Sequence, residues 1–156
     1  LDVVVDGVEE IEAVLGQAFG HDIDIALAVQ FLLYPATDLT MEIAGHAPVT
    51  AMYLGAGPEA ARKTRDWRAS PRLASTFARV APAIIGVGVH DFLYQDNLAY
   101  SAALGAAGVP VTLREFPTLG HSFFSYTAIS QACRAAAESM CDHLAAALQI
   151  RPSTTN

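Results

Sequence analysis

Two side chains in this sequence have the types and the placement to relay a proton. Asp91 follows the apolar run 83–89, and His121 follows the run 109–116. A carboxylate and an imidazole at the ends of two neighbouring strands are two parts of a three-part relay. The imidazole takes a proton from a nucleophile, while the carboxylate holds its tautomer and stabilises the imidazolium. The third part is a nucleophile, which the rest of the chain has to supply. Each residue also has a plainer reading, Asp91 as a helix cap and His121 as a solvated loop residue. Asp96, five residues on from Asp91, is the better-placed cap.

The elements that must position this pair follow from the apolar pattern. Leu1-Asp2-Val3-Val4-Val5 is a short β-branched run ended by a turn at Asp6-Gly7. Val8, Ile11, Val14, Leu15, Ala18 and Phe19 recur at helical spacing, with Glu9, Glu10 and Glu12 at the positive end of the helix dipole. Residues 25–34 are a nearly continuous apolar run, stopped by Pro35, and read as a buried strand. Strand, helix and strand in so short a span form a right-handed parallel unit. Residues 36–81 are less regular; they suggest short helices at 50–55 and 58–67 and a turn or extended segment at Ser70-Pro71. Alternation then resumes: strand 83–89, helix 95–107 capped by Asp96 and stopped by Gly105 and Gly108, strand 109–116, and helix 126–148. Tyr126, Ile129, Cys133, Ala136, Met140, Leu144 and Leu148 lie on one face of that last helix. The expectation is one α/β domain over residues 1–150 with about four parallel strands, followed by a frayed tail at 151–156.

Composition narrows the function classes. The 156 residues are 53% hydrophobic and 16% charged, with a net charge of −7 that argues against a nucleic-acid partner. No apolar run approaches the roughly 18 residues of a membrane span, and no basic segment opens a signal peptide. Cys133 and Cys141 lie eight apart in one predicted helix, about 12 Å, too far for a disulfide. They read as buried free thiols of a cytoplasmic protein. His21, His46, His90, His121 and His143 show no metal-ligand spacing, so neither a metal nor another cofactor is expected.

Five blocks occur in order: Val29-Gln30-Phe31-Leu32-Leu33-Tyr34-Pro35-Ala36-Thr37-Asp38-Leu39, Arg68-Ala69-Ser70-Pro71, Val87-Gly88-Val89-His90-Asp91, residues 108–117, and Gly120-His121-Ser122-Phe123-Phe124. Together they resemble the C-terminal half of the hormone-sensitive-lipase-like esterases, which have the α/β-hydrolase fold. The resemblance implies a three-layer partial α/β-hydrolase and a small-molecule ester substrate with a short acyl chain. It also implies that Asp91 is the triad acid and His121 the general base. The family's nucleophile elbow, Gly-x-Ser-x-Gly between a strand and a helix, falls on Val5-Asp6-Gly7-Val8-Glu9. Gly7 then stands at the serine position, Asp6 beside it, and the Val8 amide at an oxyanion-donor position. Residues 1–36 contain no Ser, Thr or Cys.

Loss of a triad nucleophile costs on the order of 10⁶ in turnover, so substitutes matter. Ser122 adjoins His121 and would point away from the ring, Ser125 would have to fold back, and Asp6 would act as a carboxylate nucleophile. Gly20-His21-Asp22 faintly resembles an elbow but precedes a strand. Met41, Met52 and Trp67 are candidates either for an acyl pocket or for the core. The readings are therefore an ester hydrolase whose serine is absent, replaced or supplied by another segment, and a non-catalytic member acting as a binding module. A strand at residues 2–5 would leave an open sheet edge, for which a homodimer or a partner chain is expected.

Overall fold

In residues 83–88, Ala-Ile-Ile-Gly-Val-Gly, every residue is buried, and they form the central strand. In the computed structural model the described residues are 27–41 and 47–149. The predicted strand at 2–5, the helix from Val8, the turn at Asp6-Gly7 and the tail lie outside them. Within them the order is β1 (Gln30–Leu33), α1 (Ala47–Leu54), α2 (Pro58–Lys63), a 3₁₀ turn (Pro71–Leu73), β2 (Ala83–Gly88), α3 (Tyr94–Ala106), β3 (Val111–Phe116), a second 3₁₀ turn (Phe123–Tyr126) and α4 (Gln131–Ala147). The described residues thus hold three strands.

All pairing is parallel, in the order β1-β2-β3. Gln30 lies opposite Ala83, and Leu33 opposite Gly86; Ala83 lies opposite Val111, and Gly88 opposite Phe116. Strand side chains alternate between faces, which divides the core in two. Ala83 and Ile85 pack with Tyr100, Leu104 and Val109 on the α3 side, joined by Leu32, Val111 and Leu113. Tyr34, Leu119, Phe123, Cys133 and Ala136 pack on the α4 side, joined by Leu33 and Phe116. The result is helix, sheet, helix: three layers, as the sequence predicts. Burying a side chain such as Ile85 or Leu104, both 0% exposed, contributes about 1.5–3 kcal/mol.

The central strand carries glycine where α4 crosses it. A Cβ on Gly86 would lie 2.7 Å from the Met140 sulfur, so the methionine occupies the space that any larger strand residue would fill.

Helix ends correct the sequence reading in three places. Asp96 is not the cap of α3. Leu93 holds that position, and the Leu93 amide donates to Asp91 Oδ1 at 2.8 Å. Asp96 sits in the first turn with its carboxylate turned away, because its donors come from another loop. Gly105 lies inside α3; the stop is Gly108 at φ +81°. Its amide donates to Gly105 O at 3.0 Å and the Val109 amide to Leu104 O at 3.0 Å, a closing pattern that only a left-handed residue permits cheaply. Finally, α4 begins at Gln131, capped by Ser130, whose hydroxyl accepts from the Cys133 amide at 3.3 Å. Tyr126 and Ile129 precede it and are exposed, at 51% and 83%. Cys133, Ala136 and Met140 form its buried face as predicted, whereas Cys141 is exposed; both thiols are free. Among the described residues no helix is long and apolar enough to cross a membrane.

Candidate active site

Parallel strands deliver their C-terminal loops to one end of the sheet, and the three loops here converge there. After β2 the chain turns at once: the Val89 amide donates to Phe116 O at 3.0 Å and the His90 amide to Leu119 O at 3.0 Å. Asp91 follows, its own amide closing back on Gly88 O at 3.0 Å. The Asp91 side chain is 0% exposed, and His121 retains 27%. Both carboxylate oxygens face His121 Nδ1, at 3.1 Å for Oδ1 and 3.0 Å for Oδ2. A carboxylate accepts only, so Nδ1 carries the proton and Nε2 is left as the basic nitrogen. Leu93 N holds Oδ1 from the other side, so the acid is fixed before the imidazole arrives.

Three aromatic rings set the surroundings of the imidazole. Tyr34, at the end of β1, meets it edge-on with centroids 4.8 Å apart and planes at 62°. Phe92 lies nearer to parallel, at 4.4 Å and 32°. Phe123 packs against Tyr34 at 5.2 Å. Two of the backbone positions here are left-handed in residues other than glycine, Tyr34 at φ +43° and Ser122 at φ +59°. Such conformations cost of order 1–3 kcal/mol and persist only where the surroundings impose them.

Beneath the pair lies a buried polar lock that the sequence reading did not identify. Asp96 Oδ2 accepts from the Thr37 amide at 2.6 Å and the Asp38 amide at 3.2 Å. Its Oδ1 accepts from the Thr37 hydroxyl at 2.8 Å and from Arg72 Nε at 3.0 Å. Arg72 Nη2 also donates to Asp38 Oδ2, and Asp38 Oδ1 accepts from the Thr40 amide at 2.8 Å. The neighbouring Asn97 is 0% exposed and donates to Pro35 O at 2.8 Å and Leu93 O at 2.9 Å, while its own carbonyl oxygen has no partner. The available signal was the Asp96-Asn97 pair, five residues after Asp91, facing Thr37-Asp38 after the proline that ends β1. Polar pairs of that kind between apolar runs must bond to each other or remain costly.

Of the predicted site residues, Asp91 and His121 are brought together. Ser125 is exposed in the second 3₁₀ turn, its amide donating to Ser122 O. Among the described residues no serine or threonine hydroxyl is hydrogen-bonded to His121. Asp6, Gly7, Val8 and His21-Asp22 lie outside the described residues. Met52 and Trp67 are exposed, at 85% and 43%, so neither is core. No group of three potential metal ligands occurs among the described residues.

The chain matches a family model for the alpha/beta hydrolase fold over residues 10–125. It is 34% identical over 114 residues to the carboxylic ester hydrolase LipN of Mycobacterium tuberculosis, a match covering 62% of this chain and 29% of that protein. It is 37% identical over 60 residues to esterase LipI of the same organism, covering 38% and 19%. A thermostable esterase from Pseudomonas putida has a similar structure, with a TM-score of 0.64 and 26% identity over 89% of this chain and 47% of that one. The chain thus spans under half the length of these relatives. The family model takes in most of the chain, including both the Asp91 and the His121 blocks. The chain belongs to the α/β-hydrolase family, as a hormone-sensitive-lipase-like member.

Proposed function

We propose that this chain carries the acid and base of a carboxylic-ester hydrolase for short-chain acyl esters, with Asp91 as acid and His121 as base. One observation carries the reading: a fully buried carboxylate places both oxygens within 3.1 Å of His121 Nδ1. In the reaction His121 Nε2 takes the proton of an attacking hydroxyl, and Asp91 stabilises the imidazolium that results. The same imidazolium then returns the proton to the departing alkoxide. Residues 1–36 hold no Ser, Thr or Cys, so the elbow serine is replaced by another side chain, Ser125 or Asp6 being the candidates, or supplied by another segment. The family resemblance puts the Val8 amide at the oxyanion-donor position.

Hydrolysis of p-nitrophenyl acetate and butyrate tests this, with His121→Ala as the comparison. The expected result is hydrolysis that disappears in the variant. Equal rates in both proteins, or none in either, overturn the reading and favour a non-catalytic binding module, for which the missing hydroxyl is the supporting observation. Loss on Asp6→Asn, with resistance to serine-directed organophosphates, points instead to a carboxylate nucleophile.

A further inference from the structure

We infer that Tyr34 is a positioning residue for His121: a left-handed aromatic, clamped at both ends, whose ring holds the imidazole square to Asp91. Tyr34 is the residue at which β1 leaves the sheet, and its φ of +43° is rare for a bulky side chain. Its amide makes a last rung to the central strand, donating to Gly86 O at 2.7 Å. One residue later Pro35 O accepts from Asn97 at 2.8 Å, and two residues beyond that Thr37 is held by Asp96 through both amide and hydroxyl. With its neighbours pinned on both sides, Tyr34 has little freedom to relax into an extended conformation.

What the left-handed turn achieves is the placement of the ring. Tyr34 is 8% exposed and touches His121 on one side and Phe123 on the other, both at steep interplanar angles. The contact to Asp91 fixes one nitrogen of the imidazole, which leaves rotation about that hydrogen bond open. An edge-on ring 4.8 Å away blocks that rotation from the side of β1, and Phe92 covers another face. Asp96 and Asn97, adjacent in the first turn of α3 and both fully buried, therefore act on His121 at one remove, through the loop that carries Tyr34.

The inference rests on reading His121 as the base, and its test needs no turnover. The side-chain ¹⁵N and ¹H resonances of His121 report which nitrogen is protonated and how well the Nδ1 proton is protected. The wild-type chain is expected to show one neutral tautomer with a protected Nδ1–H. Tyr34→Phe keeps the ring and should leave these signals in place. Tyr34→Leu should raise tautomer mixing roughly three- to tenfold, the factor that corresponds to a lost edge-to-face contact. Tyr34→Gly accepts the positive φ and lacks the ring, so it should resemble Tyr34→Leu and separate ring from backbone. If those truncations fail to fold, Asn97→Ala, which releases Pro35 O, should give the same change in smaller degree. A folded Tyr34→Leu, or a folded Asn97→Ala standing in for it, with unaltered His121 signals would overturn the proposal. An intact tautomer effect without ester hydrolysis would instead retire the functional reading and leave this one standing.

Discussion

A methyl group on Gly88 would stand 2.3 Å from the carbonyl oxygen of Leu119. The last residue of the central strand and the loop that leads into His121 are in backbone contact, with no room for a side chain. Gly88→Ala must therefore displace the Leu119-Gly120 segment, and His121 with it. We expect a cost of about 1–3 kcal/mol in urea unfolding. A displacement near 1 Å at the base should lower any His121-dependent hydrolysis by about 10²-fold. Gly105 is the control: nothing lies within 4 Å of its Cβ position in α3, and Gly105→Ala should stabilise the chain by about 0.5–1 kcal/mol.

The lock at Asp96 gives a prediction of the opposite kind, about loss. Its carboxylate takes four hydrogen bonds and is 0% exposed. Asp96→Asn keeps the shape but turns an acceptor into a donor facing other donors, and it leaves the half-buried Arg72 with one carboxylate. Destabilisation of about 3–5 kcal/mol is expected, read from the urea midpoint. Arg72→Met should cost less than Asp96→Asn, since water reaches Arg72, whose side chain is 26% exposed. The two changes together should fall well short of their sum, because they break one network.

The reach of the sequence can be traced through these residues. β2, β3 and α3 were legible because apolar runs bounded by glycine and proline leave few alternatives, and a βαβ unit has one hand. Asp91 and His121 were legible for the same reason: they stand where parallel strands deliver their loops. Asp96 was misread because helix-start statistics know only the helix's own amides, whereas its partners lie at Thr37, Asp38 and Arg72. Tyr126 and Ile129 continue the period of α4 and so read as part of its face, although the chain there is not yet helical. Ser130, the residue that caps that helix, was the contrary signal. The left-handed turn at Tyr34 had no local signature, since no glycine or asparagine marks it.

A pH effect is expected at Asp66. The Arg68 side chain and the Arg68 amide both donate to this carboxylate, at 2.7–3.0 Å. The guanidinium hydrogen bonds chiefly, and the amide next, lower its pKa from 3.8 to about 2. The folded chain thus binds fewer protons than the unfolded one between those values. The contribution is fully present above pH 3.8 and is lost as the pH falls through about 2. NMR titration of the Asp66 carboxyl should show its midpoint near 2, moving back toward 3.8 in Arg68→Met. Solvent screening keeps the effect on global stability small.

Association is the remaining prediction. The sequence leads us to expect a strand at residues 2–5, whose open edge would favour strand addition; light scattering on the purified chain should then give a mass above the monomer at micromolar concentration. A clean monomer would end that expectation.

The first turn of α3 does more than begin a helix. Asp91 initiates it, Asp96 and Asn97 hang the β1 loop from it, and Arg72 ties the segment before β2 to it. Fraying this one turn would release acid, brace and ion pair in a single event. The amides of Thr37, Asp38, Leu93 and Asn97 should therefore exchange with deuterium at a common rate, as one cooperative opening unit. In kinetic terms, the site is either assembled or absent, with no half-built state between.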